Sequence, residues 1–209
     1  MTYEIKRDAM IRDQIQARGI HDERVIDAMR TIPRECFVPE ESRALAYEDH
    51  PLPIGNGQTI SQPYIVAYMT QLLRLPPDAT VLEIGAGSGY QAAVLGRIAK
   101  HVCALERDAE LVERAGKTLE QLGFTRIDLR EGDGFDGWPE PDVRFDGILV
   151  SCAPDHLPQR PVESLRPGGR MVVPIGGENT IQQLTLVTRD ADGTIRSEEV
   201  APVRFVPMT

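Results

Sequence analysis

Between Thr80 and Ser151 short β-rich runs alternate with helical patterns, and this alternation limits the possible folds more than any other feature of the chain. Thr80–Ile84 (TVLEI), Val102–Leu105, Ile127–Arg130 and Gly147–Ser151 read as strands, while Tyr90–Ala99 and Ala109–Leu122 repeat apolar residues at helical spacing. Strands alternating with helices in this way are joined by right-handed crossovers, which predicts a mostly parallel α/β sheet with helices on both faces.

The flanks read differently. Ile5, Ala9, Ile11, Ile15 and Ile20 trace one helical stripe, and Val25, Ile26 and Met29 begin a second after Asp22, until Pro33 and Pro39 break the pattern. From Gly169 onward the helical period is gone. Arg170–Ile175, Ile181–Thr188 and Ile195–Phe205 are strand-like, with Asp192-Gly193 as a hairpin turn, and suggest an antiparallel extension of the sheet. The expected organisation is one domain, with an N-terminal helical cap (residues 1–53), a core (54–168) and antiparallel C-terminal strands (169–209). A chain of 209 residues can bury one sizeable core, and 41% apolar with 26% charged residues excludes wholesale disorder.

Composition excludes several function classes. The net charge of −9 leaves no broad basic surface for nucleic-acid phosphates. No apolar run approaches a membrane span, and Met1–Arg18 alternates charged with apolar residues, unlike a signal peptide. Cys36, Cys103 and Cys152 are far apart, without a C-x-x-C pair, and read as small buried apolar residues in a reducing, cytoplasmic setting. The four histidines are equally scattered, so no metal site is expected.

The segment Val81–Gln91, VLEIGAGSGYQ, carries the first chemical signal. A strand runs into Gly85, Gly87 and Gly89 and a helix follows, which lets the backbone approach a ligand beside a helix N-terminus. A dinucleotide fingerprint would place its third glycine at position 90; Tyr90 stands there and argues against a nicotinamide-dependent oxidoreductase. Glu106, 21 residues beyond Gly85, ends the next strand, where a carboxylate can accept from both ribose hydroxyls; taken alone it reads equally as a solvated charge. Gly132-Asp133-Gly134 follows the third strand, either as a simple turn or as the edge of an adenine pocket, with Asp133 accepting from the exocyclic amine and Phe135 packing on the ring.

VLEIGAGSGY, LER and GDG, in that order, resemble the cofactor motifs of S-adenosylmethionine-dependent methyltransferases of the Rossmann-like type. LPIGNGQTISQPYIVAYM (Leu52–Met69), with AYEDHPLPIG, GSGYQAAVL and the terminal VRFVP, resembles the protein-L-isoaspartate O-methyltransferases, over about Ile32 to Pro207. That resemblance implies a methyl transfer from S-adenosylmethionine, leaving S-adenosylhomocysteine, to the free carboxylate of isoaspartyl residues in damaged proteins and peptides. The methyl ester then closes to a succinimide. It implies Ser61 as the catalytic-site residue. Glu83, Gly85, Gly87 and Gly89 would hold the methionine part of the cofactor, Glu106 the ribose, and Asp133 with Gly134 the adenine side. Thr59, Ile60, Val203, Phe205 and Val206 would shape the peptide site. The enzyme is expected to act as a single chain. Ser151-Cys152-Ala153 departs from the Thr-Ala-Ala of many members.

The residues fit that chemistry. A carboxylate acceptor is already ionised at neutral pH and needs no general base, and the motif region carries no Ser/His/Asp set. Ser61 is therefore expected to orient the acceptor rather than act as a nucleophile. A methyltransferase for a small acid or hydroxyl compound would share the cofactor motifs but lack the TISQPY loop, and a non-catalytic scaffold would have no use for Gly85, Gly87, Glu106 and Asp133.

Overall fold

The structure, a computed structural model, describes residues 2–177 and 180–208. A seven-stranded sheet is built from β3 (Thr80–Ile84), β4 (His101–Glu106), β5 (Ile127–Glu131), β6 (Phe145–Val150), β7 (Leu165–Ile175), β8 (Gln182–Arg189) and β9 (Ile195–Val203), in the order β5-β4-β3-β6-β7-β8-β9. The strands from β5 through to β7 run parallel; β8 and β9 are antiparallel. From β3 the chain moves outward to β4 and β5, then returns to place β6 on the other side of β3. This reversal opens a crevice at the carboxyl ends of β3 and β6, where open α/β sheets bind ligands.

Helices α4 (Tyr90–Ile98) and α5 (Ala109–Gln121) are the crossovers β3–β4 and β4–β5. The Asp108 carboxylate caps α5, accepting from the backbone of Glu110 and Leu111 at 2.9 and 3.2 Å. In the N-terminal cap, α1 (Tyr3–Met10) continues through tighter and wider turns to Arg18, and α2 (Glu23–Thr31) starts at Asp22, whose side chain accepts from Arg24 N at 3.0 Å. Alternation along β3 divides the core. Val81 packs with Val102, Leu149 and the cap on one face, while Leu82 and Ile84 pack with Cys103, Ile148 and Val150 on the other. Each such side chain stabilises the fold by about 1.5–3 kcal/mol.

Several elements depart from the sequence reading. β7 begins at Leu165 and lies parallel to β6, with Ile148 opposite Met171, so antiparallel pairing starts one strand later than the run from Arg170 suggests. The crossover is α6 (Gln159–Glu163), a five-residue helix holding Pro161 that is too short to show a period. Leu52–Gly55 and Gln58–Ile60 form a small hairpin, β1–β2, in a stretch with no visible strand alternation. Helix α3 (Pro63–Leu73) follows at once, with Pro63 at its first position, where proline is favoured. The strand read as Ile195–Phe205 ends at Val203, and Arg204–Met208 turn back along the crevice.

Candidate active site

The crevice encloses about 330 Å³ at the carboxyl ends of β3 to β6. Gly85 and Gly87 come from the turn after β3, Glu106 to Asp108 from β4, Gly132 and Gly134 from the turn after β5, and Ser151 with Cys152 from the end of β6. The hairpin closes it with Gln58 and Thr59, and the C-terminal segment with Val206 to Met208. Gly85 and Gly87 sit at φ 82° and 54°, and a Cβ on Gly85 would lie 3.0 Å from Cys152 Sγ. Left-handed backbone and close approach together require glycine there.

Glu106 is held rigidly. Its Oε2 accepts from Gly87 N at 2.8 Å, and its Oε1 from Arg107 N at 2.8 Å and Asp108 N at 3.0 Å. A carboxylate offers about four lone-pair positions, so one position, on Oε2, remains for a hydroxyl donor. Glu83 is the opposite case. It is fully buried, and among the described residues neither oxygen has a hydrogen-bond partner. Burial, then the charge of Glu106, pushes its carboxyl well above the usual range, with the neighbouring Ser151 acting the other way. Glu83 lines a chamber of about 30 Å³ that also touches Thr59, Ser61, Gly85 and Ser151. An unpaired buried acid beside a glycine cradle is fitted to a ligand that brings positive charge.

A second space, about 750 Å³, opens on the other side of Thr59 and Ser151. Its walls are Tyr64, Ile65 and Tyr68 of α3 and the run from Ala201 to Val206. The rings of Tyr64 and Tyr68 stack at 5.7 Å, and the Arg18 guanidinium lies 3.5 Å from the Tyr64 ring centre. The opposite wall is latched by Gln182, a fully buried side chain on β8 that accepts from Phe205 N at 2.6 Å and donates to Phe205 O at 3.0 Å. Ala153 N donates to Val206 O and Met208 N to Ala153 O, each at 2.8 Å.

Ser61 faces this groove and the chamber. Among the described residues nothing hydrogen-bonds to its hydroxyl, while its carbonyl accepts from Arg34 at 2.7 Å. Arg34 is fully buried, donates also to Ala46 O at 2.7 Å and lies over the Tyr90 ring at 4.7 Å. Burial lowers its guanidinium to about 10.

Most residues expected from the sequence converge here. Ser61, Thr59, Val203, Phe205 and Val206 line the groove, Gly85, Gly87, Glu106 and Gly134 the crevice, and Glu83 the chamber. Four residues are placed differently. Gly89, at φ 84°, begins α4 away from the crevice, and a Cβ there would meet Ala115 at 3.2 Å and Leu119 at 3.4 Å, so it serves helix packing. Ile60 is buried in the core and reaches only the chamber. Asp133 folds back to accept from Phe135 N at 2.9 Å and faces a neighbouring cavity of about 600 Å³. The Phe135 ring stacks on His156 at 5.6 Å instead of facing the crevice.

Sequence reasoning missed Ser151 and Cys152 as lining groups, and Arg18, Tyr64 and Tyr68 as groove residues; the first two carried a signal, their place at the end of a parallel strand. Burial, followed by the charges of Glu106, Glu83 and Asp133, raises the Cys152 thiol to about 12, which keeps it protonated and a poor nucleophile. Among the described residues no helix is long and apolar enough to cross a membrane, and no three His, Cys, Asp or Glu gather as a metal site.

A family model described as protein-L-isoaspartate(D-aspartate) O-methyltransferase matches residues 5–209. The chain is 53% identical over 207 residues to the protein-L-isoaspartate O-methyltransferase 2 of Anaeromyxobacter sp. (strain Fw109-5), covering 99% of this chain and 84% of that one. A solved structure described as a protein-L-isoaspartate O-methyltransferase superposes with a TM-score of 0.86 at 29% identity; the match covers 99% of this chain and 65% of that longer one. A Plasmodium falciparum structure of similar description, in complex with S-adenosyl-L-homocysteine, shares the fold with a TM-score of 0.83 at 24% identity, over 97% of this chain and 98% of that one.

Proposed function

Because this chain belongs to the protein-L-isoaspartate(D-aspartate) O-methyltransferase family, we propose that the crevice and the groove are the two halves of one methyl-transfer site meeting at Thr59 and Ser151. The protein is an S-adenosylmethionine-dependent enzyme of protein repair that methylates the free carboxylate of L-isoaspartyl residues in proteins and peptides.

S-adenosylmethionine, when bound, supplies a methyl group on a positively charged sulfur. Glu83 meets the cationic end of the cofactor, and a positive neighbour there favours the ionised carboxylate that burial disfavours. Glu106 uses the lone pair left free on Oε2 for a ribose hydroxyl. Gly132 and Gly134 let the backbone come close on the adenine side, and Asp133 fixes that turn through its bond to Phe135 N. Ser61 donates its free hydroxyl to the acceptor carboxylate entering from the groove, and Thr59 and Ser151 form the passage between the two spaces. No residue needs to remove a proton, because the acceptor arrives ionised. The protein aligns two oppositely charged groups and strips water from between them. Val203, Phe205 and Val206 provide an apolar wall for the peptide. We assign the chain to the cytoplasm, where its free cysteines suit a reducing setting, and read it as a monomer. Recovery of the protein in a membrane or extracellular fraction would overturn that location.

One observation carries this reading: Ser61, whose hydroxyl has no partner among the described residues, faces both the peptide-sized groove and the Glu83 chamber, which shares Thr59 and Ser151 with the adenosyl-sized crevice. Two peptides differing only in normal aspartate against isoaspartate, incubated with methyl-labelled S-adenosylmethionine, test it. Base-labile label is expected on the isoaspartyl peptide alone. Label on neither, with the cofactor bound, would move the acceptor to a small molecule.

A further inference from the structure

The tip of the β1–β2 hairpin lies outside the cavities described above but is tied to their walls. Asn56 and Gly57 are the two central residues of the turn, at φ 53° and 71°, the left-handed pair that a two-residue hairpin requires. The Asn56 side-chain amide donates to Asp108 Oδ2 at 2.7 Å and to Glu110 Oε2 at 3.2 Å. Asp108 in turn caps α5 and lines the crevice, and its bond from Asn56 is the main cause holding its carboxyl below the usual range. Beyond Gly57, β2 carries Gln58 and Thr59 on the crevice wall and leads directly to Ser61.

We propose that Asn56 is a modification site, at which spontaneous deamidation to isoaspartate disables the enzyme by lengthening the hairpin turn. An asparagine followed by glycine is open to attack on its own side-chain amide, because no side chain on the next residue obstructs the approach. Both residues are exposed here, and a Cβ built on Gly57 would meet no atom within 4 Å. Gly57 N bonds to Asn56 Cγ, the Cγ–Nδ2 bond breaks, and ammonia departs with the proton from Gly57 N. Water then opens the succinimide at either carbonyl. Opening at Cγ leaves aspartate with the backbone unchanged. Opening at the α-carbonyl leaves isoaspartate, in which the backbone runs through Cβ and Cγ and the α-carboxylate becomes the side branch.

Isoaspartate adds one atom to the backbone of a two-residue turn. Turn length sets the pairing of Gly55 with Gln58, Pro53 with Thr59 and Leu52 with Ile60, so the extra atom displaces β2 and the Ser61 loop after it. The modified residue also has no amide donor for Asp108 and Glu110 and puts a third carboxylate beside them. Both effects reach the crevice wall, so the loss of function rests on the reading of that crevice as the cofactor site.

The test ages the full-length protein at physiological temperature and mildly alkaline pH beside an Asn56→Gly variant. Glycine accepts the left-handed turn and has no amide to lose. Peptide mapping by mass spectrometry follows residue 56, while S-adenosylmethionine affinity and isoaspartyl-peptide methylation are measured on the same samples. Isoaspartate at position 56 is expected to rise in the wild type as affinity and turnover fall in proportion, with N56G keeping its own starting values. Asparagine intact at position 56 while function declines would overturn the proposal. Isoaspartate accumulating with affinity unchanged, or N56G declining as fast as the wild type, would also overturn it. Peptide mapping and cofactor affinity do not depend on which acceptor is methylated, so failure of the substrate assignment would be seen separately.

Discussion

Glu83 is an acid whose ionisation its surroundings disfavour, which makes it a cost to the empty protein and an asset to the loaded one. The unfolded chain releases its proton near the ordinary value of 4.5, while the folded chain retains it, so the native state binds more protons above that pH. Stability therefore falls as pH rises from about 4.5 through the raised folded value. Glu83→Gln removes this dependence. The cofactor-free variant is expected to melt higher than wild type at neutral pH, to match it under acid conditions, and to bind S-adenosylmethionine more weakly. Thermal melts across pH and one titration check this, and a lower neutral melting temperature would contradict it. Arg34 acts at the same scale through backbone. Its guanidinium joins Ala46 O in the cap to Ser61 O in the loop, and displacement of a reacting group by about 1 Å can cost about a hundredfold in rate. Arg34→Met should lower peptide turnover by about ten- to a hundredfold and leave cofactor affinity within about twofold. Arg34→Lys, which keeps a charge and fewer donors, should recover part of the loss. Parallel loss of cofactor affinity would mark Arg34 as a fold residue only.

At the scale of elements, legibility followed length and periodicity. β3, α4, β4 and α5 were readable because each repeats apolar residues long enough to show a period, and the glycine loop between β3 and α4 marks its own position. β1 and β2 have four and three residues and include Pro53, and α6 has five, so neither hairpin nor crossover could announce itself. The same limit hid the parallel pairing of β7, since a strand's sequence does not state its neighbour's direction. The crevice was largely readable, because it is built from strand ends that the sequence places in order. The groove was less so. Tyr64 and Tyr68 meet Ala201–Val206 only through tertiary packing, and beyond the end of β9 that run is latched to β8 by the side chain of Gln182. Gln182→Leu is expected to release Phe205, raise the KM for isoaspartyl peptide several-fold and spare cofactor affinity, because an unpaired Phe205 N–H is then left in a half-buried segment. Unchanged KM would show that the segment holds itself through Ala153 and Val206 alone.

For the whole molecule, the net charge of −9 is set against an anionic acceptor, yet among the described residues the groove is lined by Arg18 and Arg204 and by no acid. The open sheet edge at β9 carries Arg196, Glu198, Glu199 and Pro202, charges and a missing donor that discourage pairing with a second copy. Light scattering should accordingly give a single species at 23.2 kDa, and a doubled mass would refute the monomer. Thr59, Ser151 and Val206 each border both the crevice and the groove. A wall between two rooms cannot be moved for one without moving it for the other. Whatever free energy those residues spend in accommodating the methyl donor is shared with the ageing peptide, so the factor by which either ligand alters the other's affinity is the same in both directions.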